Sequence, residues 1–177
     1  MIVLIDKDIK LAIEKEICTL IGSKETPGLL TQLTWIQLES GIWLVPQEQL
    51  TFIETQIPED LYKKIKYAGI FIGKIRKNFG LSVESLHFLS PYITRYIEIK
   101  GKTLQKYLYG NPIRVKVPMD TIKNLDLQKI IVMTSKNEPV GISSFTILEK
   151  LPGFLHLKLE PITDLGLFLR KERTMFE

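Results

Sequence analysis

The sequence has few of the residues that metal and redox sites need. Its 177 residues include one cysteine, Cys18, and two histidines, His87 and His156. A single cysteine excludes an internal disulfide and a cysteine-rich zinc site, and neither histidine has a ligand-like spacing to another histidine or to the cysteine. No glycine-rich loop follows a predicted strand, as it does in nucleotide-cofactor sites. We therefore predict neither a metal nor a cofactor.

Long apolar runs are also missing. No segment approaches the ~20 consecutive apolar residues that a membrane-spanning helix needs. Only four apolar residues separate Met1 from Asp6, too few for the core of a secretory signal. We therefore expect a cytoplasmic protein, monomeric and without a membrane partner.

Acidic residues are scarce in the second half of the chain. Residues 1–92 contain 10 Lys and Arg against 11 Asp and Glu, whereas residues 93–177 contain 14 against 9. A basic surplus of this kind is typical of a domain that binds a polyanion, although an ordinary solvated surface gives the same totals. Within the first half, residues 63–77 form a separate run of six cations without an acid.

Apolar periodicity and turn residues predict the elements of the first half. Both tryptophans, Trp35 and Trp43, fall in a predicted hairpin, where we expect them to pack in the core. The predicted elements are a helix capped by Asp6 or Asp8 and ended by Gly22, hairpin strands over 29–39 and 42–46, a helix over 47–66 interrupted at Pro58, a strand over 67–76, and a helix that begins after Ser82 and ends at Pro91.

The second half is predicted to consist of short strands around one small helix. Such a pattern favours a compact barrel-like domain, so the fold class is α+β with domains over 1–92 and 93–177. The predicted elements are strands over 95–100, 113–117, 129–135, 140–148 and 155–160, a helix over 102–110, and a final strand or helical turn over 164–172.

One connection in this half, "LQKYLYGNPIRVK" at 104–116, concentrates cations around a sharp turn. Lys102 and Lys106 share one side of the helix, and Arg114 and Lys116 share one face of the following strand. With exposed backbone amides at Gly110 and Asn111, these side chains can form one groove for a phosphate backbone, and the adjacent Tyr109 can stack on an unpaired base. The alternative is a glycine-terminated helix with solvated lysines.

Several motifs of the chain carry a family likeness. "YLYGNPI" at 107–113, "EPVGI" at 138–142 and "TDLGLFLRKE" at 163–172 resemble a PUA domain, the module named for pseudouridine synthases and archaeosine transglycosylases. Together with "GKI" at 73–75 and "LSPYITRYIEIK" at 89–100, they resemble the Nip-seven family of large-ribosomal-subunit biogenesis factors, in an archaeal version. The likeness is strongest over 69–172.

This resemblance implies a fold and an activity. The fold is an N-terminal α/β domain with an antiparallel sheet, followed directly by a PUA mixed-β pseudo-barrel. The activity is non-catalytic binding of pre-rRNA during large-subunit assembly and rRNA processing. The resemblance places RNA contacts in the glycine loop at 108–111, near Lys150 and Lys158, and at Arg170 with the adjacent Lys171.

The sequence is also compatible with two other functions. The chain can be an accessory subunit of an RNA-modifying enzyme, although no catalytic constellation can be proposed from its residues. It can also be an adapter whose N-terminal domain docks on the exosome or on other assembly factors. Gly141 fits a packing role in its strand better than a contact with RNA, and His156 fits a half-exposed position better than a functional one.

Overall fold

A computed structural model describes residues 2–62, 64–122 and 128–166. The chain divides into two compact units, one formed by Met1–Thr19 with Ser23–Ser85 and the other by Leu20–Gly22 with Leu86–Glu177. Helices and two separate sheets are present, so the predicted α+β class is confirmed. None of the helices in the described ranges is both long enough and apolar enough to cross a membrane.

The first sheet is antiparallel throughout, with its five strands in sequence order. Its strands and the accompanying helices are β1 (Ile2–Leu4), α1 (Lys7–Ile21), α2 (Gly28–Gln32), β2 (Thr34–Leu38), β3 (Gly41–Val45), α3 (Gln47–Gln56), α4 (Glu59–Tyr62), β4 (Ile70–Ile75), β5 (Phe79–Leu81) and α5 (Val83–Leu89).

Most signals in this half are confirmed. The Asp6 carboxylate accepts the Asp8 amide at 2.8 Å at the start of α1, and the Ser82 hydroxyl accepts the Ser85 amide at 3.1 Å at the start of α5. The helix predicted over 47–66 breaks before Pro58, resumes briefly in α4 and does not reach residue 66. Proline has no amide hydrogen to donate, which is why the helix is interrupted there.

The strand predicted over 29–39 is wrong in its first half. Residues Gly28–Gln32 form the short helix α2, and β2 begins only at Thr34. Pro27 precedes this helix with φ of −52°, and the Trp35 indole donates a 2.8 Å hydrogen bond to the Leu30 carbonyl. The apolar side chains of this stretch therefore belong to a helical turn and not to an alternating strand. Strands β1 and β5 were not predicted, because three residues are too few to show a period.

The second sheet is nearly barrel-shaped and mixed, with strand order β6-β8-β9-β10-β7. β6 pairs parallel with β8, and the other neighbours are antiparallel. The elements are 3₁₀ turns at Ser90–Tyr92 and Met119–Ile122, β6 (Tyr96–Ile99), α6 (Gly101–Leu108), β7 (Ile113–Pro118), β8 (Lys129–Thr134), β9 (Pro139–Leu151) and β10 (Phe154–Asp164).

All five strands predicted here are present, and β10 extends four residues beyond Glu160. The register between β9 and β10 shifts between Pro161 and Thr163. Proline cannot donate to the ladder, so an irregularity at this point is the ordinary way to keep it inside a strand. The element predicted over 164–172 falls mostly outside the described residues.

Alternation along β7 and β10 separates a buried side from an exposed one. Ile113 and Val117 of β7 and the leucines of β10 enter the core of the second sheet. The intervening residues of both strands face away from this core. The buried side therefore fixes where the polar side chains of the two strands point.

Candidate nucleic-acid interface

The end of helix α6 is a Schellman motif. Gly110 has φ of +77°, its amide donates to the Tyr107 carbonyl at 2.8 Å, and the Asn111 amide donates to the Lys106 carbonyl at 3.1 Å. The predicted left-handed stop at Gly110 is thus confirmed. The expectation of exposed amides at this turn is wrong, because both amides are already bonded to the helix. Any anion at the turn must be held by side chains.

Buried polar groups hold this helix end against the sheet. The Ser143 hydroxyl donates a 2.9 Å hydrogen bond to the fully buried Tyr107 hydroxyl. Burial raises the pKa of the Tyr107 phenol well above its usual range, and the negative charge of Asp164 raises it further.

Two glycines permit the close approach around this tyrosine. A Cβ atom on Gly141 would lie 2.5 Å from the Tyr107 hydroxyl oxygen, and one on Gly166 would collide with the Leu108 carbonyl. Tyr107, Gly141 and Gly166, one from each of the three segments that resemble a PUA domain, therefore meet at one packed junction. The packing role expected for Gly141 is what the structure shows.

Cations from two neighbouring strands share one exposed face. In the register of β7 and β10, Arg114 lies opposite Lys158 and Lys116 lies opposite His156. Directly opposed residues of antiparallel strands point to the same side of a sheet. We call these four side chains the β7–β10 face; two of them come from a strand whose position beside β7 cannot be seen in the linear sequence.

The basic side chains of this face differ in whether an acidic side chain contacts them. Lys158 Nζ lies 2.6 Å from Glu160 Oε1, and His156 Nδ1 lies 3.1 Å from Glu149 Oε2. Lys116 Nζ instead lies 4.4 Å from the centre of the Phe154 ring, in a cation–π contact.

Arg114 is exposed and forms no ion pair within the described part of the chain. Arg114 and Lys116 are therefore the cations of this face that no acidic side chain of the described ranges contacts.

Arg114 lies between two grooves. The helix groove, with a volume of about 340 Å³, runs between α6 and β7, and the larger strand groove, about 710 Å³, lies over β7, β10 and β9. Thr103, Lys106, Pro112, Ile113 and Arg114 line the helix groove. Arg114, Val115, Lys116, Leu148, Glu149 and His156 line the strand groove.

The structure thus brings Lys106 and Arg114 together across the turn, as the helix and strand periods predict. Lys102 is exposed one helical turn before Lys106 but does not line the helix groove within the described residues. Tyr109, at the C-cap of α6, is 54% exposed.

Lys150 does not join the β7–β10 face. It lies opposite Leu155 in the β9–β10 register, and the Leu155 side chain is buried. Opposed residues share a side of the sheet, so Lys150 belongs to the side away from Lys158 and His156. Arg170 and Lys171 lie outside the described residues.

Two members of the site did not emerge as candidates from the sequence. Phe154 is in phase with His156 and Lys158 along β10, a signal that could have marked it as a partner for Lys116. Glu149 gave no such signal, since an irregularity of the ladder decides which way it points.

Comparison with known proteins does not assign the chain to a family. No family model matches the chain, and no curated protein matches it significantly. Among the described residues there is also no group of three or more His, Cys, Asp or Glu side chains placed to hold a metal ion.

Proposed function

We propose that this chain is a non-catalytic RNA-binding factor in large-ribosomal-subunit biogenesis and pre-rRNA processing, and that its second unit is a PUA domain. The motif resemblance supplies the biological context of this proposal. The observation that carries it is the position of Arg114, which has no acidic partner among the described residues and is shared by two grooves that also present Lys106 and Lys116.

The side chains of these grooves suit a single-stranded polyanion. A guanidinium can donate two parallel hydrogen bonds to one phosphate, and an ammonium acts as a point charge beside it. The exposed rings of Tyr109 and Phe154 offer surfaces on which unpaired bases can stack. Unpaired or bulged RNA presents both phosphates and bases, whereas an A-form duplex keeps its bases stacked inside.

Replacing Arg114 and Lys116 together by alanine tests the assignment. We expect the affinity for a large-subunit rRNA transcript to fall by at least about tenfold, since charge-assisted hydrogen bonds contribute roughly 1.5–3 kcal/mol each. Filter binding at fixed salt measures this loss. Both side chains are exposed, so the fold should be retained, which circular dichroism can verify.

A charge-matched control comes from the basic run of the first half. Lys74→Ala with Lys77→Ala removes the same two charges from exposed positions on β4 and the following turn. We expect this control to bind RNA almost as tightly as the unmodified protein. An equal loss in both double variants, or no loss in the first, would contradict the proposed site.

The non-catalytic part of the proposal concerns the strand groove. Glu149 and His156 form a carboxylate–imidazole pair there, an arrangement that enzymes use for general acid–base catalysis. Both side chains are about half exposed, and the described lining of the groove includes no hydroxyl or thiol that such a pair could activate. Incubation with rRNA transcripts followed by mass analysis of the nucleosides should show no modified base; a new modification would overturn this part.

A second candidate role is docking of a protein partner, such as the exosome or another assembly factor, on the first unit. Strand β1 is at the edge of its sheet, and its Val3 and Leu4 side chains are 47% and 62% exposed. An exposed strand edge is a common place for a partner to add an extended segment. Leu4→Lys should abolish RNase-resistant retention of such a partner on the immobilised protein, whereas the Arg114 and Lys116 variant should retain it.

A further inference from the structure

A β-bulge in β9 turns a carboxylate into the strand groove. Leu157 pairs with Ile147 and His156 pairs with Glu149, so Leu148 is the extra residue of the bulge. In an unbroken register, Leu148 would lie opposite His156 and Glu149 opposite the buried Leu155. The bulge therefore places the Glu149 side chain on the exposed side, and bulges of this kind often re-aim a side chain at a binding site.

Neither phosphate binding nor stability accounts for an acid at this position. A carboxylate repels phosphate and lowers the positive potential that Arg114 and Lys116 create. Its pairing with His156 is a surface contact, with side chains 57% and 40% exposed, and such pairs contribute little to folding. A ligand that presents hydrogen-bond donors would account for it.

The groove has the size and chemical mixture of a nucleotide site. Its volume of about 710 Å³ falls within the roughly 300–1,000 Å³ usual for small-ligand pockets. Two cations lie at one side, and the half-exposed aliphatic side chain of Leu148 lies beside Glu149. The two cations suit a phosphate, Leu148 suits the flat face of a base, and Glu149 suits an edge of the base that donates hydrogen bonds.

We infer that Glu149 reads the donor edge of an unpaired nucleobase, guanine in the first place, while Arg114 and Lys116 hold the adjoining phosphate. This inference rests on the proposed RNA-binding function and names the base class that the same site selects. An ionised carboxylate only accepts hydrogen bonds. Guanine presents two adjacent donors on its Watson–Crick edge, its ring N1–H and its exocyclic amino group, so it can bond both carboxylate oxygens. Uracil presents one donor there, flanked by acceptors that a carboxylate repels.

The test uses short single-stranded oligouridylates of one length, with or without a single central guanosine. The unmodified protein should bind the guanosine-containing oligomer about tenfold more tightly, the discrimination expected of a two-bond side-chain–base contact. Glu149→Gln should lose this preference, because the amide offers one acceptor and turns a donor toward the base. Its affinity for plain oligouridylate should stay equal or rise, since a negative charge has been removed.

Glu160→Gln is the matched control. It removes the same charge from β10, beside Lys158 on the same side of the sheet, but Glu160 is not among the described residues that line the strand groove. This variant should keep the guanosine preference. Both glutamates are about half exposed, and glutamine has the same shape, so neither change should disturb folding.

The outcomes separate this inference from the function on which it rests. If the protein binds both oligomers equally, or if Glu149→Gln keeps the preference, the base-reading role is wrong while RNA binding stands. If Glu149→Gln and Glu160→Gln raise every affinity by the same factor, Glu149 acts only through its charge and the inference fails. If the unmodified protein binds no RNA, the proposed function fails and this inference fails with it.

Discussion

Single residues decide whether the junction around Tyr107 can close. Gly141 has no special backbone conformation, but a Cβ atom there would lie 2.5 Å from both the Tyr107 hydroxyl and the Thr163 carbonyl oxygen. Gly153, in the turn between β9 and β10, has φ of +77° and open space around it. The two glycines are thus required for different reasons, one for space and the other for backbone conformation.

Gly141→Ala should therefore destabilise the protein by about 2–3 kcal/mol, the upper part of the range for inserting atoms into a packed core. Gly153→Ala should cost only about 1–2 kcal/mol, the penalty of a left-handed conformation for a residue with a Cβ atom. Urea unfolding followed by circular dichroism compares the two free energies of unfolding. A loss at Gly141 no larger than at Gly153 would show that the junction can relax.

Because the pKa of Tyr107 is raised, we expect the free energy of unfolding to depend on pH in the alkaline range. Its pKa is raised in the folded protein above the usual 10.0, so above that pH the unfolded chain loses the phenol proton while the folded one retains it. The unfolded state then binds fewer protons, and the free energy of unfolding falls as pH rises. The contribution of this phenol is thus complete below pH 10.0 and is lost above it.

Tyr107→Phe isolates this effect from the other tyrosines and the lysines. At neutral pH the variant should be less stable by about 1 kcal/mol or more, because the buried Ser143 hydroxyl loses its acceptor. Above pH 10.0 the difference from the unmodified protein should narrow, since only the unmodified protein carries the buried phenol. Urea unfolding at a series of pH values measures it; a constant difference would contradict the raised pKa.

At the scale of elements, the sequence predicts structure from the periodicity within one segment, but it does not predict how segments pair with one another. The strict alternation of β7 correctly separated its core residues from Arg114 and Lys116, because a strand has a period of two. The stretch before β2 was mistaken for strand, since five residues of mixed apolar character satisfy a helical turn equally well. The direction of Glu149 depends on a bulge that no local pattern reveals.

The C-terminal turn of α6 gives an element-scale prediction. Gly110 lies at the left-handed position of the Schellman motif, which joins the helix to β7. Gly110→Ala should destabilise the protein by roughly 1–2 kcal/mol, whereas Gly110→Asn should cost less, because asparagine tolerates this conformation better. Thermal or urea unfolding should give the order Gly, then Asn, then Ala; equal stability of the two variants would argue against a backbone origin.

At the scale of the whole molecule, the charge totals located the basic surplus but could not show which cations lie together. Lys158 joins Arg114 only because β10 lies beside β7 in the sheet order, whereas Lys150, eight residues before Lys158, belongs to the other side. Nor could the totals show that Lys158 pairs with Glu160. Within the part of the chain that the structure describes, the cations that line the two grooves are therefore fewer than the sequence suggests.

The number of cations in the two grooves that contact phosphates determines the salt dependence of RNA binding. If Lys106, Arg114 and Lys116 each neutralise one phosphate, the slope of log affinity against log salt concentration should be about −2, since each contact on a single strand contributes roughly −0.7. Arg114→Ala with Lys116→Ala should reduce the magnitude of this slope by about 1.4, because two of the three released counterions are lost. Lys74→Ala with Lys77→Ala should leave it unchanged, although both double variants have the same net charge. Titrations over a salt series distinguish the two cases: equal slopes in the two double variants would mean that RNA responds to total charge and not to the grooves beside β7.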